Sequence, residues 1–236
     1  MKLLLTSNGF VGTPLENDFL ELTDNKANLK IAIIPTAGDP IEWVPESEGS
    51  EKYIAKLLPI TNKPEDSKTY EYFKSKGYDV VIADLKEDPE KLKEKLESVD
   101  VIEVGGGDAN WLLDWAKKSK FGTYFKDLLD KGVVYIGTSA GSMLVTPEIG
   151  LTWWGPEKKW EDTDHVGFGV VDFVVVPHQN ESDTQSNIEI LTKRRDHLRT
   201  IINFPWRVYL LNDGQAIKVT DNNVEHIGVG TKRCID

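Results

Sequence analysis

Val133-Val134-Tyr135-Ile136-Gly137-Thr138-Ser139-Ala140-Gly141 is an apolar run that ends abruptly in small residues. Four β-branched or aromatic residues with no polar face read as a strand buried on both sides. Glycines two positions either side of Ser139 let the chain bend tightly from strand into helix. Such a bend lifts a serine hydroxyl clear of the sheet and aims the amides of the following helix at it.

Working outward, Val101 to Val104 is a second strand of this kind, running into Gly105-Gly106-Gly107 and then an amphipathic helix with Trp111, Leu112 and Trp115 on one side. Phe121 to Lys131 reads as a further helix. Towards the N-terminus, Lys2 to Thr6 closes on Ser7-Asn8-Gly9 and Lys30 to Ile34 closes on Pro35. Tyr78 to Ala83 follows the helix stop Lys76-Gly77. Helical patterns fall between them at Leu15 to Leu22, Glu65 to Lys76 and Pro89 to Ser98, and Gly38 to Ser50 reads as a long surface loop placed to overhang the site. Downstream, Val170 to Val176 is a strand ending at Pro177-His178, and a helix covers about Thr184 to Thr200. Arg207 to Leu211 and Ala216 to Val219, around Asp213-Gly214, read as a hairpin at the sheet edge. The alternation predicts an α/β fold, a doubly wound and mostly parallel sheet with helices on both faces and a C-terminal edge hairpin.

At 236 residues the chain is expected to be a single domain, 1–236. A formal charge of -11 sets a repulsive field against nucleic acid. The basic cluster Lys193-Arg194-Arg195 is too short to override it, so a small peptide substrate is expected and no nucleic-acid partner. No apolar stretch reaches the length of a secretory signal or a membrane helix, and Cys234 is the only cysteine, so no membrane partner and a cytoplasmic, reducing location are expected. The expected assembly is a monomer or homodimer.

In open parallel sheets, active sites form where the chain leaves the carboxyl ends of strands, and two glycine-bearing turns fall there. Ser139 is the candidate nucleophile. A serine needs a base, and of His165, His178, His197 and His226 only His178 directly follows a predicted strand. Backbone amides of Gly106 and Gly107, with that of Ala140, are the candidate donors for a tetrahedral oxyanion. The phosphate-binding alternative lacks both the third glycine of a dinucleotide fingerprint and a Gly-Lys-Ser/Thr. There is no His-x-x-x-His and no cysteine pair, so neither metal nor cofactor is expected.

Taken in order, Gly105-Gly106-Gly107-Asp108 opening a helix, Tyr135 to Gly141, and Gly167-Phe168-Gly169-Val170-Val171-Asp172-Phe173 leading to Pro177-His178 resemble the peptidase E family of serine peptidases, which includes cyanophycinases. The likeness spans Met1 to about Val219. It implies a flavodoxin-like sheet related to class I glutamine amidotransferases, with serine in place of their cysteine. It also implies hydrolysis after an N-terminal aspartate, or of an aspartyl-arginine isopeptide link in the cyanophycinase branch. By position, Ser139 matches the nucleophile, His178 the base, and Gly107 with Ala140 the oxyanion loop. The family's third acid falls 15 to 18 residues after the serine, where Trp153, Trp154 and Gly155 stand, and Glu157 is the first carboxylate of that region. Glu157 is therefore the candidate acid, and Asp108, Arg194 and Trp154 are the candidate substrate contacts. Two alternatives stay open: a catalytically weak or silent binding module on this scaffold, and an esterase-type acyl hydrolase in which His226 would be the base.

Overall fold

The computed structural model describes residues 1–47, 53–59, 63–152, 165–180 and 184–236. Its main sheet has seven strands: β1 (Lys2–Thr6), β2 (Lys30–Ile34), β5 (Asp79–Ile82), β6 (Val101–Val104), β7 (Val134–Thr138), β10 (Gln215–Thr220) and β11 (Asn223–Gly228). They lie in the order β11-β10-β1-β7-β6-β2-β5, with the five from β1 to β5 parallel and β10 and β11 antiparallel at one edge.

The period of two in each strand assigns the two cores. Leu3 and Leu5, Ala32 and Ile34, Ile102 and Val104, and Tyr135 face one side, where they pack on α3 (Pro89–Glu97), α4 (Ala109–Lys118), α5 (Phe121–Asp130) and α6 (Ala140–Leu144). Leu4, Ile31, Ile33, Val101, Val134 and Ile136 face the other, against α1 (Glu16–Leu22) and α2 (Lys68–Ser75). There Phe10, Phe19, Tyr72 and Phe73 form an aromatic cluster with ring centroids 5.1 to 6.4 Å apart. Each such pair adds about 0.5–1.5 kcal/mol beyond the area it buries. Strands without a polar face are thus explained by helices on both sides, and the doubly wound α/β fold expected from the sequence is the one observed.

One residue breaks the apolar pattern. Glu103, 3% exposed, sits in β6 level with Ile33 on one neighbour and Ile136 on the other. Burial pushes its carboxyl from the usual 4.5 up to about 8, opposed by a hydrogen bond from the Thr138 hydroxyl.

Two expectations are corrected. The segment from Gly38 to Ser50 is not all loop: β3 (Ile41–Pro45) pairs antiparallel with β4 (Tyr53–Leu57), Trp43 opposite Ala55. The turn at Asp213-Gly214 does not close a hairpin either. Its preceding strand β9 (Arg207–Leu210) belongs to a separate three-stranded sheet, parallel to β8 (Phe173–Val176) and antiparallel to β12 (Arg233–Ile235), whereas β10 runs beside β1. Gly214 does adopt a positive φ of 84°, so the local turn signature is genuine, but the flanking strands part to different sheets. The edge hairpin lies one turn later, where β10 and β11 join through Asp221 at φ 54°. The helix α7 (Thr184–Ile201) covers the small sheet through Leu191 and Leu198 packed on Val174, Val176, Val208 and Leu210.

Candidate active site

Four adjacent parallel strands deliver their carboxyl ends to one rim: β1 brings Ser7, β7 brings Ser139, β6 brings the glycine loop and β2 brings Ala37. Ser139 takes φ 50°, ψ −108°, a backbone state that costs on the order of 1–3 kcal/mol for a residue with a Cβ and must be held by its surroundings. Its amide donates to the Thr6 carbonyl at 3.0 Å, and its own carbonyl accepts from Ser142 and Met143 at 2.9 and 3.1 Å, which starts α6. The Ser142 hydroxyl is tied to the Thr6 and Gly137 carbonyls at 2.7 and 2.8 Å.

Both elbow glycines are sterically required. A Cβ on Gly137 would lie 2.7 Å from the backbone of Gly141 and Ser142, and one on Gly141 would lie 2.2 Å from the Val104 carbonyl oxygen. Since the obstructing atoms are backbone, Gly141→Ala forces β6 and α6 apart. The expected loss is on the order of 3 kcal/mol, measured by denaturant unfolding. A stability within 1 kcal/mol of wild type, on the order of ordinary surface changes, would refute the tight packing.

His178 follows β8 and adopts φ 59°. Its amide donates to the Ser7 hydroxyl at 2.8 Å, and its Nε2 stands 2.9 Å from Ser139 Oγ. Its Nδ1 stands 2.9 Å from Asp213 Oδ1. A carboxylate at Nδ1 sets the tautomer with the proton on Nδ1, so Nε2 is the acceptor facing the serine. Asp213 also accepts from the Ser7 hydroxyl at 2.9 Å and from Asn180 Nδ2 at 3.0 Å, while its amide donates to Asn180 Oδ1 at 2.9 Å. Burial raises the Asp213 carboxyl, yet the donors Asn180, Ser7 and His178 together outweigh it and hold the group below the usual aspartate range.

The glycine loop faces the serine closely. A Cβ on Gly106 would be 3.2 Å from Ser139 Cβ, and Gly107, at φ 144°, admits no side chain, because a Cβ would meet the Ala37 carbonyl oxygen at 1.9 Å. Ala140 opens α6, so its amide has no carbonyl one turn earlier to bond.

Of the remaining sequence candidates, Asp108 is spoken for within the structure. Its Oδ1 caps α4 at the Trp111 amide, and its Oδ2 accepts from Trp43 Nε1, both at 2.8 Å, which fastens the β3–β4 hairpin beside the glycine loop. Arg194 Nη1 donates to the Leu151 carbonyl at 3.0 Å. Glu157 and Trp154 lie outside the described residues. Asp213 is the carboxylate found at the histidine, a residue whose Asp-Gly context in the sequence signals only a turn. His226, the base an esterase arrangement would need, sits on β11 with Nε2 3.2 Å from Gln215 Oε1 and its ring against Tyr209. Burial, then Lys232, lowers it to about 4. Among the described residues no three His, Cys, Asp or Glu side chains are grouped to hold a metal ion, and no helix is long and apolar enough to cross a membrane.

A family model described as Peptidase family S51 matches residues 3–227. The chain belongs to peptidase family S51. Among proteins of known sequence this S51 peptidase is similar to the uncharacterized peptidase Lin0382 of Listeria innocua serovar 6a, 28% identical over 94% of both chains. It is also similar to the uncharacterized peptidase Lmo0363 of Listeria monocytogenes serovar 1/2a, 26% identical over 76% of this chain and 78% of the other. Among solved structures it shares its fold with a protein of Listeria monocytogenes EGD-e described as peptidase E, with a TM-score of 0.67 at 20% identity, covering 97% and 98% of the two chains. A peptidase from an acI-B1 actinobacterium has a TM-score of 0.64 at 16% identity, covering 99% of this chain and 93% of the other.

Proposed function

We propose that the chain is a serine peptidase that hydrolyses short peptides through Ser139, His178 and Asp213. The reading is carried by the two 2.9 Å contacts that place one imidazole between a strained serine hydroxyl and a carboxylate. In it, Ser139 Oγ attacks the scissile carbonyl while its proton passes to His178 Nε2. The amides of Gly107 and Ala140, with Gly106 allowing close approach, stabilise the oxyanion. The C–N bond then breaks as His178 gives that proton to the leaving amine, and water attacks the acyl-serine by the same route in reverse. Asp213 holds the Nδ1 proton and offsets the charge of the transient imidazolium.

The Asp213 carboxylate at His178 Nδ1 supports this reading over a silent binding module on the same scaffold. An N-terminal-aspartate preference follows from the family likeness, and the lone exposed Cys234 suits a cytoplasmic setting. The test is covalent: a fluorophosphonate should add once per chain, on Ser139 by mass spectrometry. His178→Ala should block the adduct, and Asp-Xaa dipeptides should be cleaved by wild type. Wild-type protein that takes no adduct and cleaves no dipeptide would overturn the reading.

A further inference from the structure

We infer that Arg233 is a positioning residue for this site, an inference that rests on the Ser139–His178–Asp213 reading. Arg233 lies on β12, beyond the stretch 3–227 that the family model matches, and it pairs with Leu210 of β9. Its Nη2 donates to two oxygens: the backbone carbonyl of Gln179, the residue after His178, and the side-chain Oδ1 of Asn212, the residue before Asp213. Gln179 and Asn212 are both buried. One guanidinium therefore joins the peptide that carries the imidazole to the peptide that carries its carboxylate.

A clamp is needed at that point because the regular ladder stops there. Among the described residues, the β8–β9 pairing continues through Leu211 N to the Val176 carbonyl at 2.9 Å and Gln179 N to the Leu211 carbonyl at 2.8 Å. Beyond it, His178 is held at a positive φ and Asp213 sits on the turn that leaves for the main sheet. The side chains of Ser7 and Asn180 also bridge the two peptides, but each is a short neutral group. Both bonds come from Nη2, whose two hydrogens are held in the guanidinium plane at fixed directions, which the freely rotating hydrogens of an ammonium do not reproduce. The strand β12 is itself anchored, since the Arg195 and Arg207 guanidinium groups both bond Asp236 at the chain end.

The experiment compares wild type with Arg233→Met, which keeps the apolar stem and removes the fork, and with Arg233→Lys, which keeps the charge. Expected for Arg233→Met is a fall of about 10- to 100-fold in kcat and in fluorophosphonate labelling, the scale of a displaced catalytic group, with KM little changed. Arg233→Lys should recover only part of the loss, and millimolar methylguanidinium should restore activity to Arg233→Ala. A downfield proton resonance that disappears in His178→Ala reports the Nδ1–Asp213 bond, and it should move or broaden in Arg233→Met and Arg233→Lys. Should Arg233→Met not fold, Arg233→Lys carries the same measurements. Full labelling and an unmoved resonance in the folded variants would overturn the clamp. If wild type itself takes no adduct and cleaves no dipeptide, the peptidase reading fails, and the resonance still decides whether Arg233 positions His178.

Discussion

Replacing Asp213, whose side chain is 36% exposed, with asparagine is expected to lower kcat by up to about 10⁴-fold, the cost when a fully buried aspartate behind a catalytic histidine loses its charge. An amide keeps the shape of the side chain but presents an NH2 or a neutral carbonyl where Oδ1 meets His178 Nδ1. With NH2 in that place, Nδ1 must accept, the ring proton moves to Nε2, and Nε2 can no longer take the proton of Ser139 Oγ. With the carbonyl there, the tautomer survives, but the imidazolium that forms in the reaction is no longer balanced. The donors around Asp213 keep its carboxyl below the usual aspartate range, so the wild-type group stays ionised through the whole neutral range. Steady-state hydrolysis of a dipeptide, with circular dichroism showing unchanged fold, measures the effect. An Asp213→Asn enzyme within tenfold of wild type would remove Asp213 from the mechanism.

Glu103 should cost the wild-type protein stability as pH rises from about 4.5 to about 8, and Glu103→Gln should remove that contribution, leaving below pH 6.5 the opposite slope of His226, whose folded-state value is lowered to about 4. Glu103 has its folded-state pKa raised by burial to about 8, against 4.5 for the unfolded chain. Below 4.5 both states carry the proton and Glu103 contributes no pH dependence. Between 4.5 and 8 the unfolded chain releases it while the folded chain retains it, so each step upward favours unfolding. The difference amounts to on the order of 5 kcal/mol once pH passes the upper value. Glutamine keeps the acceptor for the Thr138 hydroxyl without a titratable proton. Urea unfolding at pH 5 and pH 8.5 of both proteins provides the comparison, and equal pH slopes would show that Glu103 is solvated or differently paired.

Much of this architecture was readable from residue order, and the reasons for the exceptions are physical. Strands such as Val101 to Val104 and the bend around Ser139 are local in origin, set by β-branched runs and by glycines whose Cβ would collide with backbone. His178 was legible because a strand end is a place as well as a sequence. Asp213 was not, because Asp-Gly is a strong turn signal in its own right and nothing nearby records that the strands on either side go to different sheets. The signal that could have found it is Ser7 with Asp213, two polar residues at strand ends brought together only by the β1–β10 pairing. The apolar run from Val170 to Val176 is a strand as expected, over Phe173–Val176, but which sheet it joins was not legible. Its alternate residues serve two different cores, Phe173 and Val175 the large one and Val174 and Val176 the small one, and an all-apolar strand looks alike in either setting. Glu103 carried a sign that could have been read, a lone carboxylate in an otherwise apolar strand just ahead of the glycine run.

The peptide from Leu211 to Gln215 is where one sheet hands the chain to the other. In the proposed mechanism the nucleophile Ser139 is mounted on the large sheet, the base His178 follows the small one, and the acid Asp213 lies on the crossing between them. Hydrolysis by that mechanism would depend on the relation between the two sheets rather than on the integrity of either alone. On the proposed mechanism, a small sliding of the three-stranded sheet is expected to silence hydrolysis while leaving nearly every helix and strand around the seven-stranded sheet in place.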